Sequence, residues 1–443
     1  MTGERWLIHG GRIVDPASHL DTMADILIGD GVVQAVGADL SRANARIVDA
    51  RGCIVAPGLI DLHVHLREPG GEAKETIATG TSAAAAGGFT AVCCMPNTTP
   101  PLDSVEMLRD LAERTARDAR VKLFPIAAIT LGRAGATPVD FAGLAAAGAI
   151  GFSDDGDTTR DSSIMRLALE ASRTLERPVM VHCEDKPLAS GAMHEGEVSR
   201  QLGISGIPAE AEEIIIARDL LLTRLTGGQL HVCHVSTARG ATMILQAKRE
   251  GVNVTAEVMP HHLLMDEKWV AGDRQLRHVG EPSGQPGTPG DPNTKVNPPL
   301  RTLADTEGLL AALQQGTFDV VATDHAPHAA SEKEGSTFEQ AAFGMSGSEF
   351  ALPLLLALVR AERLSMMELV SRMTIEPARI LRMALGTLTP GAVADVVVFN
   401  PDEPWVVRPD ALATKNANTP LLGMTLRGRV VLTLVDGEER YHA

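Results

Sequence analysis

The sequence predicts an α/β protein in which a (β/α)8 TIM-like barrel carries a small discontinuous β-sandwich domain built from both chain ends. Short apolar strands alternate with helical segments eight times between residues 57 and 386, which is the pattern of such a barrel. Short strands joined by tight turns occur over residues 1–56 and 387–443. A chain of 443 residues, 44% of them apolar, has enough hydrophobic side chains for a large barrel and a satellite domain.

The two ends of the chain are expected to build one domain. Residues 24–28 and 32–36 are apolar runs that flank Gly29-Asp30-Gly31, a sequence typical of a hairpin turn. Strand-like segments return at residues 394–399 and 425–433. The simplest interpretation is one discontinuous β domain with strands from both ends.

Between these ends, predicted strands and helices alternate regularly. The strands are predicted at residues 59–65, 89–94, 121–126, 149–152, 178–182, 229–234, 252–257 and 319–323. The helices are predicted at residues 72–86, 104–117, 139–147, 162–175, 209–225, 238–249 and 303–315, followed by 348–363 and 376–383. Gly87-Gly88 is expected to end the first helix, and Asp103 or Ser104 to cap the second.

Two irregular insertions interrupt this alternation. Residues 186–208 are polar and of mixed composition. Residues 280–299 contain six prolines, a composition that cannot pack as a helix or a central strand. We expect the second insertion to be a mobile loop, either a lid over a site or a passive surface excursion.

The charge of the chain limits its partners. With 40 basic and 56 acidic residues the net charge is −16, which argues against a nucleic acid or an anionic membrane as a partner. The sequence has no run of about 18 apolar residues, and its first residues lack the apolar segment of a signal peptide. We therefore expect a cytoplasmic protein.

The five cysteines are expected to be buried, reduced thiols. Their odd number and their spacing argue against a disulfide framework. Cys183 follows His182 and Cys233 precedes His234, but adjacent residues of a strand point to opposite faces. Each of these two thiols is therefore expected to face away from the histidine beside it.

The stretch from Asp61 to Arg67 has the most unusual pattern in the predicted barrel. His63 and His65 are two residues apart, so a β-strand would present both imidazoles on one face, where a single metal ion can accept both. Arg67 continues this parity and suits a substrate anion. A pair of histidines alone is weak support for a metal site until partners are found elsewhere.

Such partners occur at the carboxyl ends of the strands, where a barrel enzyme places its chemistry. The candidate ligands at these positions are His63, His65, Asp155, His182, His234 and Asp324. Imidazole and carboxylate suit zinc, and a bridging carboxylate allows two ions to lie together. Such a pair can hold a hydroxide at neutral pH, and Asp324 would accept its proton and return it to a leaving nitrogen. The residues alone do not choose between Asp154 and Asp155.

Seven short motifs lie in or after the predicted strands. They are residues 61–70 (DLHVHLREPG), 95–98 (MPNT), 154–156 (DDG), 182–185 (HCED), 231–236 (HVCHVS), 296–301 (VNPPLR) and 323–328 (TDHAPH). In these motifs, and over nearly its whole length, the chain resembles the class I dihydroorotases of the amidohydrolase superfamily. The resemblance implies zinc ligation by the six candidate ligands, with two ions bridged by Asp155 and a hydroxide. Whether one zinc ion or two are held stays open, because both would use nearly the same residues.

The reaction of that family is the reversible cyclisation of N-carbamoyl-L-aspartate to (S)-dihydroorotate and water in de novo pyrimidine biosynthesis. The resemblance implies that metal-bound hydroxide attacks the ring amide while Asp324 carries the proton. It also implies that Arg67, Asn97 and His328 hold the substrate carboxylate, for which a guanidinium is well suited. The full set of implied substrate contacts is His65, Arg67, Asn97, Asn297, Asp324, His328, Phe343 and Gly344.

Two other functions are alternatives. Hydantoinases and most allantoinases are related cyclic amidohydrolases with a carboxylated lysine at the bridge, and residues 151–156 contain no lysine. Inactive dihydroorotase-like subunits of aspartate transcarbamoylase usually lack metal ligands, whereas all six are present here. A homodimer and a complex with aspartate transcarbamoylase are further expectations.

Several other histidines are given structural roles. His231 is not needed for the metal, because His234 already matches the family ligand. His261 and His262 follow the seventh strand, but the ligand set is complete without them. His325 is expected to support the loop between two site residues.

Overall fold

The computed structural model describes residues 4–280, 284–335 and 337–443. Its strands are β1 (Trp6–Asp15), β2 (Leu20–Gly29), β3 (Val32–Gly37), β4 (Arg46–Asp49), β5 (Ile54–Pro57), β6 (Leu59–Val64), β7 (Phe89–Cys94), β8 (Lys122–Ala127), β9 (Gly151–Phe152), β10 (Val179–Val181), β11 (Met193–His194), β12 (Gly206–Ile207), β13 (Leu230–Val232), β14 (Val254–Val258), β15 (Val320–Val321), β16 (Val396–Val406), β17 (Thr425–Val435) and β18 (Glu438–His442). Its helices are α1 (Ile77–Ala86), α2 (Val105–Asp118), α3 (Phe141–Ala146), α4 (Ser162–Leu175), α5 (Glu197–Leu202), α6 (Glu210–Thr226), α7 (Ala238–Arg249), α8 (Pro260–Leu264), α9 (Leu303–Gln314), α10 (Ala330–Lys333), α11 (Ala351–Arg360), α12 (Met366–Met373) and α13 (Ile375–Ile380).

Eight parallel strands form a nearly closed barrel, as predicted. They lie side by side in chain order, β6-β7-β8-β9-β10-β13-β14-β15. The first and last strands meet where Val64 pairs with His325, and the amide of His65 donates to the carbonyl of His325 at 2.8 Å. The buried carboxylate of Asp61 adds to this closure, because it accepts from the amide and the hydroxyl of Thr323 at 3.1 and 2.5 Å.

Apolar side chains fill the inside of the barrel and the layer between strands and helices. Ile60, Leu62 and Met180 belong to the inner cluster. Leu59 and Phe89 belong to the larger outer cluster, which the surrounding helices cover. Strands buried on both faces are nearly continuous apolar runs, which explains why these segments show little alternation. Burying one such side chain contributes about 1.5–3 kcal/mol, so the barrel is a firm support for polar groups at its rim.

Strands from the two chain ends form a second sheet of eight strands, most of them antiparallel. Its order is β18-β17-β16-β5-β1-β2-β3, and β4 pairs with β1. The ends are joined directly, because β5 pairs antiparallel with β16 from Ile54 opposite Phe399 to Pro57 opposite Val396. The prediction that the two ends build one β unit is confirmed. Among the described residues, the helices include none that is both long and apolar enough to cross a membrane.

Some predicted elements differ from those in the structure. The first helix begins at Ile77 rather than at residue 72, because Thr76 forms a capping box with Thr79. The segment predicted as a helix over residues 376–383 is the second of two helices, α12 and α13. They meet at Thr374, whose φ and ψ of −133° and −83° are not helical. No helix was predicted over residues 366–373, so α12 was missed, whereas α13 corresponds to the predicted segment.

The two insertions also have structure. Residues 186–208 contain β11, α5 and β12, so this polar segment is folded. In the second insertion, residues 281–283 lie outside the described residues. Its last part is packed, since Thr294, Lys295 and Val296 are buried. The lid and surface-excursion alternatives both remain predictions.

Candidate metal centre

The six predicted ligands meet at the carboxyl ends of the barrel strands. All are buried, with exposed fractions between 0 and 7%. They come from the ends of five strands: His63 and His65 at β6, Asp155 after β9, His182 after β10, His234 after β13 and Asp324 after β15. Ligands far apart in the chain therefore share one small volume because the parallel strands end on the same side of the barrel.

One group of ligand atoms comes from the first and last strands. The Nε2 atoms of His63 and His65 lie 3.6 and 3.0 Å from Oδ1 of Asp324. The two imidazole centroids are 5.3 Å apart. Two imidazole nitrogens and one carboxylate oxygen at this spacing match the ligands that a divalent transition metal takes from a protein.

A second group comes from the fifth and sixth strands. Nδ1 of His182 lies 2.9 Å from Nε2 of His234. The same two nitrogens lie 3.8 and 3.6 Å from Oδ1 of Asp155. Imidazole nitrogens and a carboxylate oxygen are again the atom types that a divalent transition metal takes from a protein.

Asp155 lies between the two groups. Its Oδ1 is 3.4 Å from Nε2 of His63, and its Oδ2 is 3.5 Å from Nε2 of His65. Asp154 has other partners: its oxygens accept from the amides of Ile129 and Thr130, both at 3.0 Å, and from the hydroxyls of Thr130 and Thr159. The geometry therefore places Asp155, rather than Asp154, beside both pairs of histidines.

The donor atoms fit a metal ion. Nε2 of His63 and Oδ1 of Asp155 are fully buried, and neither has a hydrogen-bond partner among the described residues. An unpaired buried polar atom costs about 1–3 kcal/mol, and native structures contain few of them. A cation between these atoms would remove that cost at both of them.

The carboxylates are in the ionised form that metal binding requires. Burial by itself would raise the pKa values of Asp155 and Asp324, but the neighbouring histidines lower both below the usual range. Both side chains are therefore carboxylates at neutral pH.

Three of the predicted site residues have left-handed backbone angles. The φ values of Arg67, His234 and Asp324 are 62°, 31° and 47°. Such angles are uncommon for residues other than glycine and cost about 1–3 kcal/mol each, and they concentrate at functional sites. Here they turn side chains that follow a strand back over the barrel mouth.

Hydrogen bonds to the outer nitrogens set the direction of two imidazoles. Nδ1 of His63 lies 2.7 Å from Oε1 of Glu257, and Nδ1 of His65 lies 2.8 Å from Oδ1 of Asn97. Each oxygen accepts a hydrogen bond from Nδ1–H. In the neutral imidazole, the lone pair of Nε2 is therefore left for a metal.

The cluster opens into a cavity of about 280 Å³. All eight residues expected to contact substrate line it: His65, Arg67, Asn97, Asn297, Asp324, His328, Phe343 and Gly344. Arg67 is held by a hydrogen bond of 3.2 Å to the carbonyl of Pro327, and Nε2 of His328 lies 2.7 Å from the carbonyl of Phe343. Burial lowers the pKa of Arg67 to about 10, so it is still cationic at neutral pH. The cavity thus joins an anionic, histidine-rich end to a cationic one.

Sequence reasoning gave no role to some polar residues of the site. Glu184 accepts a 2.9 Å hydrogen bond from Asn297 and forms an ion pair of 2.5 Å with Lys186, and both Glu184 and Lys186 line the cavity. Their position just after β10, at the same end of the barrel as the predicted ligands, could have indicated that they lie at the site. Glu257, at the end of the apolar seventh strand, was also missed, although a buried charge there is unusual.

The histidines given structural roles have varied surroundings. Nδ1 of His325 accepts from the amide of Gly347 at 3.1 Å, and its Nε2 lies 3.4 Å from Glu75, which agrees with support of the loop. His261 and His262 are buried side by side, with ring centroids 4.3 Å apart. His231 contacts Glu257 in the barrel interior.

The five cysteines are buried and unpaired, as predicted. Cys233 belongs to the cluster inside the barrel, and its sulfur lies within 4.8 Å of ligand atoms of His63 and Glu257. The strict alternation assumed for this strand ends at His234, whose φ is 31°.

Comparison with protein-family models identifies the class of protein to which this chain belongs. A family model described as "Dihydro-orotase-like" matches residues 52–240, and one described as "Amidohydrolase family" matches residues 314–441. The fold and the buried histidine–aspartate cluster agree with both. The protein is thus an amidohydrolase-type barrel enzyme, a hydrolase acting on cyclic amides.

Individual relatives identify the family within this class. A dihydroorotase from Syntrophus aciditrophicus is 44% identical, covering 98% of this chain and 99% of the relative. Dihydroorotases from Pelotomaculum thermopropionicum and Aquifex aeolicus are 45% and 41% identical, covering 97% and 98% of this chain and 97% and 99% of the relatives. The chain belongs to the dihydroorotase family.

Solved structures of hydantoinases have the same fold. An L-hydantoinase (dihydropyrimidinase) from Arthrobacter aurescens superposes with a TM-score of 0.84 at 26% identity, covering 99% of this chain and 96% of that one. A D-hydantoinase from a Bacillus species gives 0.81 at 27% identity, covering 98% and 95%. The fold is shared widely, whereas the higher sequence identity is with dihydroorotases.

Proposed function

We propose that this protein is a zinc-dependent dihydroorotase that interconverts N-carbamoyl-L-aspartate and (S)-dihydroorotate in pyrimidine biosynthesis. The observation that carries the proposal is 41–45% identity with dihydroorotases over nearly the full chain. The cavity supports it, since a histidine–aspartate cluster and the half-buried Arg67 line the same space.

Six residues would hold the metal: His63, His65, Asp155, His182, His234 and Asp324. Imidazole and carboxylate ligands favour zinc, and the position of Asp155 between two histidine pairs favours two ions with this carboxylate as a bridge. When bound, zinc would supply Lewis-acid activation of the amide carbonyl and of water.

The substrate keeps a carboxylate through the reaction, and Arg67 would hold it. A guanidinium binds a carboxylate through two parallel N–H···O bonds. Arg67 is half-buried, lines the cavity and is cationic, and Asn97 and His328 line the same space. Asn297 and the backbone of Phe343 and Gly344 would contact the polar edge of the ring.

Asp324 would carry the proton. In the hydrolytic direction, water adds to the ring amide carbon, the carbon–nitrogen bond breaks, and the leaving nitrogen needs a proton. The ionised Asp324 can accept the proton of the water and deliver it to that nitrogen, and the reverse order serves ring closure. Its Oδ1 lies 3.0 Å from Nε2 of His65, so the carboxylate lies beside another of the expected ligands.

A hydantoinase is the second candidate, because solved hydantoinases share the fold. Two observations favour dihydroorotase. Residues 151–156 contain no lysine to form the carboxylated bridge, and the cationic Arg67 beside the cavity suits a substrate that carries an anion. Hydantoin and allantoin lack the carboxylate that dihydroorotate has.

The test is turnover by the purified protein of dihydroorotate, N-carbamoyl-L-aspartate, hydantoin and allantoin, together with its metal content. We expect interconversion of the first two compounds and bound zinc. Turnover of hydantoin or allantoin with none of dihydroorotate would reject the proposal. Repeating the assay with aspartate transcarbamoylase tests whether that partner is needed.

Assembly and location are further parts of the proposal. A homodimer or a complex with aspartate transcarbamoylase, in the cytoplasm, would agree with the family. Sedimentation of the protein with and without aspartate transcarbamoylase measures both kinds of assembly.

A further inference from the structure

A chain of polar side chains runs into the barrel behind His63, on the side away from the cavity. Oε1 of Glu257 lies 2.7 Å from Nδ1 of His63, and Oε2 of Glu257 lies 3.1 Å from Nε2 of His231. Nδ1 of His231 lies 2.8 Å from the hydroxyl of Thr255. These contacts join three strands, β6, β13 and β14.

The three ionisable members of this chain are completely buried. His63, His231 and Glu257 all have exposed fractions of 0%. A buried carboxylate is costly unless each oxygen is hydrogen-bonded. Both oxygens of Glu257 have an imidazole partner, and Oε1 also accepts from the amide of His234 at 3.3 Å. Glu257 therefore contacts the side chain of one predicted ligand and the backbone of another.

The hydrogen-bonding capacities fix the state of His63. A carboxylate only accepts, so Nδ1 of His63 must donate, and in the neutral imidazole its Nε2 is then the lone pair that a metal can accept. That Nε2 is the buried atom without a hydrogen-bond partner near Asp155 and Asp324. Nε2 of His231 must donate for the same reason, which holds the carboxylate plane in place.

We propose that Glu257 and His231 are a positioning pair that locks His63 in its metal-binding tautomer and orientation and thereby sets the affinity of the site for zinc. This inference rests on the metal site of the proposed function. The pair touches neither the cavity nor the reacting atoms, so it acts through His63. Partners of this kind typically contribute about 10–100-fold to metal affinity.

The test is zinc binding by apo-protein, measured by competition with a chromogenic chelator. Glu257→Gln keeps the size of the side chain but turns one acceptor into a donor, which opposes Nε2–H of His231. We expect its zinc affinity to fall about 10–100-fold. His231→Gln should give a smaller loss, and the double variant should lose less than the sum of the two because the residues act as one unit.

Glu212→Gln is the matched control. Glu212 is also a buried glutamate that accepts from residues after β13, at the amide and hydroxyl of Thr237 at 3.0 and 2.9 Å, but it contacts no predicted ligand side chain among the described residues. We expect this variant to lower stability and leave zinc affinity unchanged.

The positioning role is overturned if folded Glu257→Gln binds zinc within about twofold of wild type, or if Glu212→Gln weakens binding equally. If Glu257→Gln does not fold, unchanged zinc affinity in His231→Gln is the overturning result. Wild-type protein that binds zinc but does not turn over dihydroorotate would reject the proposed function alone. Wild-type protein that binds no zinc would reject both.

Discussion

At the scale of single residues, the identity of the candidate ligands was readable from the chain, but their exact surroundings were not. Strand parity predicted that His63 and His65 share a face, and their rings are indeed 5.3 Å apart. However, the register of β6 on β7 shifts between Asp61 and Val64, so strict alternation does not describe this strand end. The backbone near the site is shaped by closure of the barrel, which local periodicity does not contain.

Among the site residues, substitution of Asp324 should reduce the turnover rate most. Asp324→Ala removes both a ligand and the proton carrier, so we expect kcat for dihydroorotate to fall by at least about 10³-fold while the fold survives. Circular dichroism checks the fold, and metal analysis separates loss of zinc from loss of the proton carrier. Turnover like that of wild type would exclude Asp324 as the proton carrier.

Arg67 tests recognition of the substrate carboxylate. Arg67→Met keeps the unbranched, apolar part of the side chain but removes the guanidinium and its charge, and a charge-assisted hydrogen bond contributes about 1.5–3 kcal/mol. We expect KM for dihydroorotate and N-carbamoyl-L-aspartate to rise about 10–100-fold, with a smaller change in kcat. Arg67→Lys is the companion variant and should recover part of the loss. An unchanged KM in Arg67→Met would mean that another group holds the carboxylate.

At the scale of elements, the loop after β9 points the side chains of two adjacent aspartates toward different partners. The carboxylate of Asp154 accepts from the two amides at residues 129 and 130 and so ties this loop to the end of β8. Asp155 faces the histidines instead. The sequence shows two equal carboxylates, and only the direction of the loop distinguishes them.

This difference predicts that replacing each aspartate by asparagine has a different effect: one variant should lose stability and the other should lose zinc. Asp154→Asn should lower the free energy of unfolding by about 1–3 kcal/mol and keep zinc, because an amide donor replaces the oxygen that accepts from the buried hydroxyls of Thr130 and Thr159. Asp155→Asn should lose zinc with little loss of stability in the apo-protein. Urea unfolding and metal analysis measure both quantities. Zinc loss in Asp154→Asn with zinc retained in Asp155→Asn would reverse the assignment.

Most elements were predicted well where their signals are local. α4 spans Ser162–Leu175 as expected, and Ser104 caps α2 by accepting from the amide of Met107. The first helix was predicted to be too long because residues 72–76 carry no breaker. Buried Glu75 instead accepts a 2.8 Å hydrogen bond from Thr414, a contact that appears only when the chain is folded.

At the scale of the whole molecule, the barrel and the sheet of the chain ends are joined by a partly buried ion pair. Lys122 of β8 contacts Asp395 at 2.6 Å and Asp436 at 2.9 Å, just before β16 and just after β17. Asp395 is only 5% exposed and also accepts from the amide of Asp436. Removing Lys122 would therefore leave a buried carboxylate without its cation.

We expect Lys122→Met to lower the free energy of unfolding by about 2–3 kcal/mol, since breaking a buried pair costs more than the pair contributes. Arg166→Met is the control, because Arg166 pairs with Glu170 on the exposed surface of α4 and should cost at most about 0.5 kcal/mol. Thermal or urea unfolding compares the two. Equal stability of both variants would show that this ion pair does not join the two sheets energetically.

The sequence alone determined the alternating barrel, the two-ended β sheet, the dihydroorotase resemblance and the candidate ligands. These features are carried by short stretches in which periodicity and motif are local. Only the tertiary structure decided which of Asp154 and Asp155 faces the histidines, how Glu257 meets His63, and which residues share one cavity. Glu257 and His63 are 194 residues apart in the chain. Their contact exists because the barrel closes, and closure depends on the packing of all its strands rather than on any one segment.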